Sequence, residues 1–69
     1  MTVILTVNGA TTRLDPAPAT VAELVRALAL EGKRIAVERN GEIVPKGRYA
    51  STSIGPDDRF EIVAAVGGG

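Results

Sequence analysis

Two Asn-Gly dipeptides, Asn8-Gly9 and Asn40-Gly41, constrain this chain more than any other feature. Both residue types accept positive φ, which the two-residue hairpin turns that match strand twist require. Each dipeptide also stands where strands should stand. Val3, Leu5 and Val7 alternate with Thr2, Ile4 and Thr6 before the first turn, and residues 11–14 return from it. Residues 35–38 and 42–44 flank the second. Period-two alternation ending in such a turn is the sequence signature of a β-hairpin. The chain therefore has two hairpins to place, separated by some twenty residues.

The intervening stretch reads as one helix. Asp15-Pro16-Ala17-Pro18 is a stiff connector, because each proline fixes φ and disfavours helix at the residue before it. Thr20-Val21-Ala22-Glu23 fits a capping box, in which the Thr20 hydroxyl accepts from the Glu23 amide and Glu23 reaches back. Val21, Leu24, Val25 and Leu28 then make a single apolar stripe. Gly32 is the expected stop. After Pro45, residues 46–52 are expected to be irregular around Tyr49. Gly55-Pro56-Asp57-Asp58 makes a third turn. A last strand is expected over residues 59–66, central in the sheet, with Phe60, Ile62 and Ala64 on the helix-facing side beside Val3, Leu5 and Val7.

Hairpin, helix, hairpin, connector and strand make an α+β layer pair: a mixed sheet of about five short strands with one helix on one face. Residues 1–66 form the expected single domain, and residues 67–69 a flexible glycine tail.

Composition narrows the chemistry. The chain has 69 residues and neither cysteine nor histidine, so zinc fingers, Fe–S ligation and His-dependent nucleophilic triads are out of reach. Eight basic residues balance eight acidic ones, which argues against nucleic acid or an anionic membrane as partner. Tyr49 and Phe60 are too few for a base-stacking platform. No apolar run approaches the ~20 residues of a membrane helix, and the first residues read as a strand rather than a leader. A chain this small leaves little room for an enzyme pocket, and the absence of cysteine fits a cytoplasmic location.

The group that stands out is Gly67-Gly68-Gly69. Without Cβ atoms such a tail threads a narrow cleft and approaches a nucleotide closely. The carboxylate of Gly69 becomes the candidate reactive group, one that needs no side-chain nucleophile. The carboxylate groupings Asp57/Asp58, Glu38/Glu42 and Glu23/Glu31 read as turn, solvent-facing and capping residues, and too few oxygens converge for a metal. The basic residues are spread along the chain, with Lys46 and Arg48 the ones placed for a partner contact. On the sheet face away from the helix, Ile4 and Val63, with Ala65 and Val66 beside them, form a candidate docking surface.

The run Ile35-Ala-Val-Glu-Arg-Asn-Gly-Glu-Ile-Val-Pro45, then Tyr49, then Asp58-Arg-Phe-Glu-Ile-Val63 and Ala65-Val-Gly-Gly-Gly69, resembles the sulfur carrier family of thiamine biosynthesis. The helix start Thr20-Val-Ala-Glu-Leu24 fits it as well. The resemblance covers essentially the whole chain. It implies a ubiquitin-like β-grasp fold and a protein co-substrate rather than an enzyme. It further implies that an E1-like adenylating enzyme, using its own ATP and magnesium, activates the Gly69 carboxylate, so this chain needs no bound cofactor. Sulfur from a cysteine desulfurase route then yields a thiocarboxylate, which donates sulfur to thiazole synthase. Gly68 is the required neighbour, and Gly67 is slack. The alternatives are the small subunit of molybdopterin synthase, which shares the fold and the Gly-Gly end, a ubiquitin-like protein modifier, and an interaction module with an inert tail.

Overall fold

A computed structural model describes residues 1–64. The expected final strand is seen as far as Ala64. Ala65, Val66 and the glycines Gly67, Gly68 and Gly69 lie outside the described residues, as does the expected boundary between domain and tail.

The strands are β1 (Val3–Val7), β2 (Ala10–Leu14), β3 (Ile35–Arg39), β4 (Glu42–Val44) and β5 (Arg59–Ala64), with one helix, α1 (Val21–Ala27), after the first hairpin. They form a single sheet in the order β2-β1-β5-β3-β4. Only β1 and β5 run parallel; β1/β2, β3/β4 and β3/β5 are antiparallel. The expected mixed sheet is thus present, and β5 is its central strand. Both Asn-Gly pairs take positive φ at both residues (Asn8 52°, Gly9 80°; Asn40 51°, Gly41 87°). They are hairpin turns of the primed kind.

The core is the helix stripe pressed on the inner sheet face: Val21, Leu24 and Val25 against Leu5, Val37, Val44, Phe60 and Ile62. Burying Phe60 or Leu24 removes enough apolar surface for about 1.5–3 kcal/mol each. Val3, Val7 and Leu28 are partly buried at its margin. Ala64, expected on that inner face, is exposed at the last residue of β5.

Two further expectations are revised. The helix does not run to Gly32. It ends at Ala27, with Leu28 as C-cap, and Ala29 turns left-handed at φ 60°. The Leu30 amide donates to the Val25 carbonyl at 2.9 Å and the Ala29 amide to the Arg26 carbonyl at 3.0 Å. That pair of bonds is a Schellman motif with alanine where glycine is usual. Nor are residues 46–52 irregular: Lys46–Ser51 form a 3₁₀ helix after Pro45. The chain that follows is bound to the helix start, through Val21 N–H to Thr52 O at 3.0 Å and Ile54 N–H to Ala19 O at 3.1 Å. The capping box is present, with Glu23 N–H donating to Thr20 Oγ1 at 3.3 Å, but Glu23 Oε1 reaches the Ala19 amide rather than that of Thr20.

Candidate functional site

The site to be explained is the end of the sheet where β5 runs on towards the glycines. β5, the strand that precedes the glycines in sequence, is held on both sides. On one side it pairs with β3 as far as Ile35 opposite Ala64. On the other, β1 stops at Val7, opposite Phe60. The ladder nevertheless continues. The Asn8 amide N–H donates to Phe60 O at 2.8 Å. The Asn8 side chain then stands in for a further strand residue: its Nδ2 donates to Ile62 O at 2.9 Å and its Oδ1 accepts from Ile62 N–H at 2.7 Å. The turn that ends β1 therefore satisfies both backbone groups of a residue that would otherwise be an open edge.

The start of β5 is fixed by a second asparagine. The Asn40 amide donates to Arg59 O at 2.7 Å, and Asn40 Oδ1 accepts from Arg59 N–H at 2.9 Å. Asn40 Nδ2 also donates to Asp58 Oδ1 at 3.1 Å. Asp58 is only 8% exposed. Its Oδ2 accepts from Gly55 N–H and from Arg39 Nε, both at 2.8 Å. Burial alone would raise the Asp58 carboxyl. The Gly55 amide, the Asn40 amide and the Arg39 guanidinium outweigh it and hold the group below its ordinary value. Asp57 takes φ 66° in the turn after Pro56. Asp58 is thus a structural lock, as its turn position implied, and Glu23 a helix cap. Glu31 lies 3.5 Å from Arg26. Among the described residues no group of three or more carboxylates is gathered that could hold a metal ion.

The outer sheet face is divided. Ile4 and Val63 are both exposed on it, 51% and 58% respectively. They do not form one patch. Thr6 lies beside Arg59 in the β1/β5 register. Ile4 is about 7 Å to one side of that row and Val63 about 13 Å to the other, at ~3.3 Å per residue. The polar side chains Thr6, Arg59 and Glu61 lie between them. What adjoins Val63 is Ala36, directly opposite on β3. Ile43 of β4 stands one step further across, paired with Glu38, and is 73% exposed. Ile43 had no distinguishing signal in the sequence, because only the register places it diagonal to Ala36. Ala65 and Val66, expected beside Val63, lie outside the described residues.

A family model described as the ThiS family matches residues 3–69, nearly the whole chain. The chain belongs to the ThiS family. Among its relatives is the sulfur carrier protein ThiS of Bacillus subtilis, 38% identical over 66 residues that cover 96% of this chain and 100% of that one. A thiazole synthase of Paramagnetospirillum magneticum is 43% identical over 65 residues; these cover 94% of this chain but 20% of the synthase, so the chain spans about a fifth of that relative. The crystal structure of a thiamine biosynthesis protein (ThiS) from Geobacter metallireducens superposes with a TM-score of 0.82 at 34% identity, covering 96% of this chain and 99% of that one. The ubiquitin-like β-grasp expectation is met: the five-stranded mixed sheet and single helix are those of this ThiS relative.

Proposed function

We propose that this ThiS-family chain, a sulfur carrier of thiamine biosynthesis, carries its sulfur on the carboxylate of Gly69. The observation that supports it most is the bracing of β5. The strand leading to the tail is the central one, paired with β3 to its last described residue and with the Asn8 side chain at Ile62. Family membership through Gly69 favours this reading over a molybdopterin synthase subunit, a protein modifier or an inert-tailed interaction module.

A carboxylate is a poor electrophile, so activation must come first. In an E1-like adenylating enzyme one Gly69 oxygen attacks the α-phosphorus of ATP and pyrophosphate leaves, with the enzyme's magnesium screening the phosphates. A persulfide sulfur drawn from a cysteine desulfurase then attacks the acyl carbon and AMP leaves with the C–O bond electrons; a second thiol of the partner enzymes cleaves the S–S bond of the resulting acyl disulfide, is itself oxidised to a disulfide, and leaves the thiocarboxylate. Thiazole synthase consumes it. The thiazole synthase relative that contains a segment similar to this chain supports that last pairing: joining donor and acceptor in one chain raises their effective concentration. This chain works as co-substrate, without a cofactor of its own. Among the described residues no helix is long and apolar enough to cross a membrane.

The described residues contribute positioning. The exposed Val63, Ala36 and Ile43 adjoin the strand that leads to the tail and give the adenylating enzyme an apolar surface to grip. Ile4, far along the face, is left out of that contact. Purified carrier, ATP, adenylating enzyme and a sulfur source test the proposal: the carrier should gain the mass of one sulfur for one oxygen, and a variant lacking Gly69 should fold and gain nothing.

A further inference from the structure

The Schellman turn at Ala29 has a second consequence, on the helix side of the molecule. It swings residues 30–35 back over the end of the core, and the Lys33 amide closes the loop on Leu30 O at 3.1 Å. Beneath lies a cleft of about 320 Å³ with an apolar floor that includes Val25, Leu30, Ile35 and Tyr49. Its rim carries Lys33, Arg34 and Lys46 from two separate elements. Among the described residues none of these three cations has an ion-pair partner. Glu31, the one carboxylate lining the cleft, is beside Arg26. A chain with no net charge thus concentrates unpaired positive charge around one apolar hollow. The hollow is also elongated. A second cleft of about 370 Å³ shares Leu30, Lys33, Arg34 and Ile35 with the first and continues to Ala64.

We propose that this groove binds an extended acidic segment of a partner protein, with an apolar side chain seated on Leu30, Ile35 and Tyr49 and carboxylates facing Lys33, Arg34 and Lys46. Length decides the class of occupant: two clefts sharing one basic loop suit an extended chain, whereas a compact anion would use only one end. Charge decides the sign, since an apolar anchor between carboxylates meets both the floor and the rim. The first cleft is lined by none of Val63, Ala36 and Ile43, and the second meets that surface at Val63 alone.

The test uses the full isotope-labelled chain and a blocked peptide, Glu-Asp-Leu-Phe-Glu-Asp, followed by amide NMR. The proposal expects saturable shifts at Val25, Leu30, Lys33, Arg34 and Tyr49. It also expects no such shifts from the same peptide with lysine replacing each acid, and affinity lowered about tenfold or more by Lys33→Glu with Arg34→Glu. Both positions are exposed on a loop, so the variant should keep the fold; if it does not, the lysine peptide carries the charge test by itself. No saturable shift from the acidic peptide overturns the proposal. Equal shifts from the lysine peptide overturn it, as does inorganic phosphate reproducing the same shifts without any peptide.

Discussion

Arg39 Nε donates to Asp58 Oδ2 at 2.8 Å, tying the end of β3 to the turn that launches β5. The Asp58 carboxylate also gathers Gly55 and Asn40, so one buried acid sets the geometry of three segments. Its charged form is favoured by folding, which makes the lock sensitive to acid. A carboxyl whose folded pKa is depressed stabilises fully above its unfolded value and loses that contribution as pH falls through the folded one. Asp58→Asn should lose about 1–3 kcal/mol at neutral pH, the usual range for hydrogen bonds to a charged group. Below the ordinary aspartate value of 3.8 the gap to the unmodified protein should close. Thermal denaturation of both proteins at neutral pH and below pH ~3 measures it.

Asn8 makes a similar link at the other end of the strand. Asn8→Gly keeps the positive φ of the turn and removes the two side-chain bonds to Ile62. It should cost about 1–2 kcal/mol and speed hydrogen exchange at the Ile62 amide well beyond that at Glu61, whose amide faces β3. Exchange rising equally at both sites would mean that the whole sheet had loosened instead.

Ala29 pays for its left-handed conformation. Ala29→Gly removes the Cβ strain, and stability should rise by up to about 1 kcal/mol, the lower end of that strain. For a domain this small that is several degrees, about 4–8 °C per kcal/mol, in melting temperature. An unchanged or lower melting temperature would show that the Schellman turn costs nothing here.

Ile43→Glu and Ile4→Glu separate the two ends of the outer face. Both side chains are exposed, so each change should alter stability by only about 0.5 kcal/mol or less. The first should slow sulfur loading about tenfold, the scale of losing one useful interface contact, and the second should leave it unchanged. Equal effects would restore Ile4 to the docking surface.

How much of this could be read in advance follows from the range over which each feature is determined. The hairpins were legible because Asn-Gly fixes its own φ values, and the helix because Val21, Leu24 and Val25 recur at its period. The helix end was not, because alanine is the best helix former and nothing local marks Ala29 as the turning point. The 3₁₀ helix over Lys46–Ser51 leads into Thr52 and Ile54, whose bonds to the helix start are tertiary ties that no local pattern encodes. The Asn8 bridge joins residues 54 apart in sequence, and no local pattern encodes it. Ile4 and Val63 were correctly set on one face. Their separation depends on the parallel β1/β5 register, which alternation alone does not supply. The glycine tail lies outside the described residues, so the role given to Gly69 rests on the sequence and on the function proposed above.

The central claim is that Gly69 bears the sulfur, and intact mass spectrometry after incubation with ATP, adenylating enzyme and a sulfur source tests it most directly. The full chain should gain the mass difference between sulfur and oxygen, fragmentation should place it on Gly69, and a folded chain ending at Gly68 should gain none. A full chain that stays unshifted, or a truncated one that still takes up sulfur, would contradict the account.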